Sequence, residues 1–169
     1  MRVGLNLDIL IEHGTLVTVN NNREIIEDGA LVIEDGKISA IGKSEEIRQL
    51  FNAKKVINAR GKVVIPGLID THNHLFQTIL KGIGDDRKLI NWIRDALQPT
   101  IPVLTSDDIY SAALLGCVEM IKSGTTSCVD FMGFPNPRFS EQVVKAFRET
   151  GIRGTIARTF LDTGEGFGY

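Results

Sequence analysis

KVVIPGLIDTHNHL, residues 62–75, is a short apolar run that passes through Pro66-Gly67 and ends in His72-Asn73-His74. Side chains on a strand alternate faces with period 2, so the two imidazoles share a face, and Asp70 shares it one step deeper. Neutral imidazole is a common ligand of zinc and other transition metals. Two imidazoles on one face, where a strand runs out, make half of a metal site. The same triplet also arises as paired surface histidines hydrogen-bonded to their neighbours. The setting favours the metal: the chain has three histidines, and two stand here behind an apolar run. The third, His13, falls in an expected turn and is not expected to bind metal.

Upstream, the sequence reads as β structure. Residues 8–12 and 15–19 are strand-like runs separated by His13-Gly14, and 24–27 suggests a short strand. Asp35-Gly36 between apolar runs at 30–34 and 37–41 predicts a hairpin. Ser44 reads as an N-cap, with Glu45 and Glu46 in the first turn of a short helix carrying Ile47 and Leu50. Residues 55–58 and 62–65 return as strands. Downstream the pattern alternates. A strand over 68–72 is followed by a helical stretch over 75–81. A helix over 88–97 carries Leu89, Ile90, Ile93 and Leu97 and is expected to end at Pro99. Ser106 is expected to cap a helix over 107–123 that Gly124 stops. Strands over 127–131 and 153–159 flank a helix over 140–150, with a loop at 133–137. Strand–helix–strand order with short connections predicts a parallel sheet.

The composition suits a globular chain with a real core: 169 residues, 43% apolar, net charge −2. No basic patch is dense enough for nucleic acid, and the longest apolar runs are far too short to span a membrane. The N-terminal stretch lacks the apolar core of a signal peptide. Cys117 and Cys128 fall in apolar elements and are expected to be reduced core residues of a cytoplasmic protein.

The segment Pro66-Gly67-Leu68-Ile69-Asp70-Thr71-His72-Asn73-His74 resembles the PG(L/F)(I/V)(D/N)xHxH strand of the amidohydrolase superfamily. The continuation Leu75-Phe76-Gln77-Thr78-Ile79-Leu80-Lys81-Gly82 and the later Asn91-Trp92-Ile93 are similar to the branch of triazine hydrolases and ring aminohydrolases. The resemblance implies an α/β fold: the first three strands of a (β/α)8 TIM-type barrel at 62–169, preceded by part of a small β-sandwich at 1–61. A complete barrel takes about 250 residues, so the rest is expected from the same or a second polypeptide.

The resemblance also implies a metal-dependent hydrolase acting on C–N, or C–Cl, bonds of a nitrogen heterocycle. His72 and His74 would hold zinc, with iron(II) as the alternative. Another histidine and an aspartate from later strands would complete the ligands. The groups that move protons are likewise expected outside this chain. Gln77 is expected to contact the substrate ring, or else to be an exposed helix residue. Trp92 leans over the pocket in the family; its alternative is core packing beside Ile93. Asp70 either orients a ligand histidine or satisfies a backbone N–H. Asp130, ending the second strand, either touches substrate or holds a loop through backbone amides. The small substrate is the expected partner, and the resemblance implies homo-oligomers. Two alternatives stand beside this reading. One is a cyclic-amide hydrolase of the dihydropyrimidinase or dihydroorotase kind, which shares the histidine pair. The other is a non-catalytic portion that needs a complementing chain.

Overall fold

The computed structural model describes residues 6–132 and 137–159, which divide into two compact units at Pro66 and Gly67. All but Pro137 of the loop expected at 133–137 lies outside the described residues, as does Gly164-Glu165-Gly166, which the sequence reads as a further loop.

The first unit is a five-stranded sheet. β1 (Asn6–Val17) lies between β2 (Ile25–Glu34) and β4 (Asn52–Asn58), and β3 (Lys37–Lys43) extends β2. Residues 8–19 do not break into two strands at His13-Gly14. The strand runs on through a bulge, with His13 at φ 60°. The His13 ring reaches Asp28 Oδ1 across the sheet at 2.8 Å, and Gly14 fits where a Cβ would stand 3.0 Å from Val64. The Asp35-Gly36 hairpin forms with both residues at positive φ, the geometry of a two-residue type I′ turn. Ser44 is not the N-cap of helix α1 (Ser44–Leu50) but its first residue. Its hydroxyl accepts instead from the His13 backbone N–H at 2.9 Å. α1 sets Ile47 against Leu7, Leu10, Ala30 and Val32 on one face of the sheet.

β5 (Val63–Val64) pairs in parallel with Thr15 and Leu16 of β1. Residues 62–66 therefore belong with the first unit, five residues beyond the division expected at 61.

The second unit is a three-stranded parallel sheet in the order β6 (Leu68–Asn73), β7 (Thr125–Met132), β8 (Arg153–Arg158). A 3₁₀ helix at Leu75–Leu80, not an α-helix, leaves β6 and lies against α4 (Ser106–Lys122). Between them a helical run begins as α2 (Leu89–Trp92) and widens into a π turn at Ile93–Leu97. It continues as α3 (Gln98–Thr100) rather than stopping at Pro99. The Gln98 N–H bonds to the Ile93 carbonyl, five residues back. The ladder is already re-registered there, so the missing N–H of Pro99 costs little. Leu89 and Ile90, two of the four apolar residues expected along this helix, are 67% and 70% exposed.

Thr105, one residue before the expected Ser106, caps α4. Its hydroxyl accepts from the Asp108 N–H, and the Asp108 carboxylate accepts from the Thr105 N–H in return. Gly124 ends the helix at φ 88°. α5 (Pro137–Thr150) returns the chain to β8. Phe76, Ile109, Cys117, Met132 and Val143 form the centre of the core between helices and sheet. Among the described residues, no helix is long and apolar enough to cross a membrane.

Candidate metal and substrate site

β6 does not pair evenly with β7. Asp70 lies opposite Cys128 and Asn73 opposite Asp130, so β6 holds one extra residue across that interval. A bulge of this kind bends the strand and re-aims its side chains. Asp70 secures it: Oδ1 accepts from the His72 N–H at 3.1 Å, and Oδ2 accepts from the Asn73 amide at 2.7 Å. The carboxylate therefore meets a backbone N–H and a side-chain amide.

Past the bulge the imidazoles converge. The Nε2 atoms of His72 and His74 stand 3.2 Å apart, with ring planes at 88°. His74 Nδ1 lies 2.7 Å from the Phe131 carbonyl oxygen on β7. A carbonyl only accepts, so Nδ1 carries the proton, and in the neutral ring the Nε2 lone pair faces His72. Two lone pairs do not face each other at this distance with nothing between them. Either one of the two Nε2 atoms bears a proton or a cation lies between the rings. Two nitrogens bound to one tetrahedral zinc at about 2.0–2.1 Å lie about 3.3 Å apart. The pair thus has the bite of a single ion. Among the described residues no third His, Cys, Asp or Glu joins them.

Asp130 is fully buried beneath the turn that follows His74. Its Oδ1 accepts from the Leu75 N–H at 2.8 Å, while Oδ2 has no partner among the described residues. Burial pushes its carboxyl pKa up, against the opposing pull of the Leu75 N–H and of His74.

Gln77 lines two adjoining cavities. One, of about 570 Å³, also touches His72, His74 and Thr78. The other, of about 590 Å³, is bounded by Trp92, Arg87 and Leu89. Lys81 lines both and pairs with Glu119. Trp92 donates its indole N–H to the Ile83 carbonyl at 2.9 Å, so that N–H is not free for a ligand. Gly84 seats that ring: a Cβ there would stand 2.8 Å from Trp92 Cδ1. His13 stays in the first unit with Asp28. Cys117 and Cys128 are free and buried, and burial pushes the Cys128 thiol up to about 12, so neither serves as a thiolate.

Sequence reasoning did not find Phe131. Its carbonyl fixes His74, and its ring lies over His72 at 5.7 Å and 24°. A backbone acceptor leaves no mark in sequence; the only signal was its place at the end of an expected strand.

The sequence profile of the amidohydrolase family matches residues 63–167. The chain is 38% identical over 155 residues to a 5'-deoxyadenosine deaminase of Methanosarcina mazei. It is 37% identical over 155 residues to a 5-methylthioadenosine/S-adenosylhomocysteine deaminase of Acetivibrio thermocellus. Each alignment covers 92% of this chain but 34% and 35% of the relatives, so the chain spans about a third of their length. Among solved structures, a mutant atrazine chlorohydrolase from Arthrobacter aurescens TC1, complexed with zinc and atraton, superposes with TM-score 0.83 at 25% identity. That match covers 93% of this chain and 37% of the other. An adenosine deaminase from Xanthomonas campestris with bound zinc gives 0.80 at 25% identity, over 88% of this chain and 33% of that one.

Proposed function

This chain belongs to the amidohydrolase family, and on that premise we propose that it carries the opening part of an enzyme for hydrolytic deamination of a nitrogen heterocycle. In fold it matches the N-terminal part of the barrel proteins, about a third of their length. In this reading β6, β7 and β8 are the first three barrel strands. The first unit is part of a β-sandwich. The sheet supports that assignment. Ile9, Ile33 and Ile38 pair across three strands on one face, as do Ile11, Leu31 and Ile41. Ile38 is 65% and Ile41 46% exposed, so an apolar face opposite α1 still needs cover.

The convergence of the two Nε2 atoms carries the functional proposal. His72 and His74 would hold the ion, zinc or in the alternative iron(II), through Nε2. When bound, such an ion supplies a water that ionises near neutral pH and a Lewis acid beside the substrate. The Phe131 carbonyl keeps the proton of His74 on the side away from the ion. Asp70 and Asp130 hold the bulge and the turn that aim the pair. The side-chain amide of Gln77 can donate to one ring nitrogen and accept from another. Trp92 offers a flat face for stacking. The remaining ligands and the groups that carry protons to the leaving ammonia are assigned to the rest of the barrel. A cytoplasmic setting suits the two buried free thiols. The chlorohydrolase likeness supports a second reaction on the same site, displacement of chloride from a triazine ring.

The test is ammonia release from a panel of amino-heterocycles by the assembled protein. His72→Ala and His74→Ala are expected to abolish it. Gln77→Ala is expected to lower kcat/KM about tenfold, the effect of losing one hydrogen bond to substrate. Undiminished turnover in either histidine variant contradicts the proposal.

A further inference from the structure

We infer that Phe131 is a positioning residue for the histidine pair, an inference that rests on the metal-site reading above. Three contacts converge on it. Its carbonyl accepts from His74 Nδ1 at 2.7 Å. Its ring lies nearly parallel to His72, with centroids 5.7 Å apart at 24°. The same ring meets His74 edge-on, 5.5 Å away at 82°. An imidazole at a strand end has two free torsions, and His72 is exposed. Without a wall beside them, two such rings lose conformational freedom when they converge, and that loss opposes ion capture. Phe131 supplies the wall. It is itself fixed in the middle strand of the sheet, where it pairs with Ala157 of β8, while its neighbours Asp130 and Met132 are buried. The two contributions separate cleanly. Any residue at this position supplies the carbonyl, but only an aromatic one supplies the stacking face.

The assembled protein, metal-free, is examined by long-range ¹H–¹⁵N correlation of its imidazoles, then titrated with cobalt(II). Wild type is expected to show His74 protonated at Nδ1 and ring-current displacement of the His72 and His74 ring protons. In Phe131→Leu the His74 tautomer is expected to persist, because the carbonyl remains. The ring-current displacement is expected to vanish, and cobalt affinity to fall about tenfold or more. Phe131→Tyr is expected to restore both. A His74 protonated at Nε2, or a Phe131→Leu chain with wild-type ring shifts and wild-type affinity, overturns the inference. An assembled wild-type protein that shows the tautomer and ring shifts but takes no cobalt overturns the metal-site reading while upholding the placement of Phe131. Amide spectra of both variants report whether the fold is kept.

Discussion

His74 is fixed from two sides: its Nδ1–H meets the Phe131 carbonyl, and its Nε2 meets His72. The identity of the pair was legible in the sequence, since two of three histidines stand at the end of one apolar run. Its geometry was not. Alternation along a strand places Asp70, His72 and His74 on one face, but the bulge breaks that period and turns Asp70 toward backbone. Bulges are set by pairing with a partner strand, which no local stretch encodes. Tight packing at glycine escapes a sequence reading for the same reason. A Cβ on Gly154 would fall 2.0 Å from the buried ring of Phe147. Gly154→Ala is therefore expected to lose about 1–3 kcal/mol, read by chemical denaturation. A loss under about 0.5 kcal/mol would mean that the ring moves aside freely.

At the scale of elements, the strands and long helices of the second unit were read with their ends displaced by three residues or fewer, whereas in the first unit the expected strand pairs 8–12 with 15–19 and 24–27 with 30–34 each run on as one strand. Thr105 and Ser106 are both good caps, and only the reciprocal bond with Asp108 decides between them. Thr105→Ala is expected to cost about 1 kcal/mol, whereas Ser106→Ala leaves stability nearly unchanged; thermal melts of both distinguish the caps. The Thr105 hydroxyl and backbone N–H hold the Asp108 carboxyl pKa below its ordinary value. Its folded pKa is thus below its unfolded one. The stabilisation from this cap is full above the unfolded value of about 3.9 and is lost as pH falls through the folded value. Acid titration of Asp108→Asn should show a shallower loss of stability than wild type below about pH 4. The π turn before Pro99 was not legible, because a proline reads as a stop unless the preceding ladder has shifted register.

For the molecule as a whole, alternating strands and helices after Leu68 announced a parallel sheet, and the three strands form it in sequence order. Three strands cannot close a barrel, and one sheet with apolar residues on both faces cannot close a sandwich. Ile38 and Ile41 mark that second face. Ile41→Glu is expected to leave the melting temperature of the 169-residue chain nearly unchanged. It is also expected to reduce self-association seen by light scattering. A large fall in melting temperature would show that the face is already covered. The measurement that bears most directly on the central claim is metal content after exhaustive dialysis, by plasma mass spectrometry, of the assembled protein and its His72→Ala/His74→Ala double variant. One tightly held transition-metal ion in the parent and none in the double variant is the expected result. Equal metal in the two would contradict the assignment of His72 and His74 as ligands.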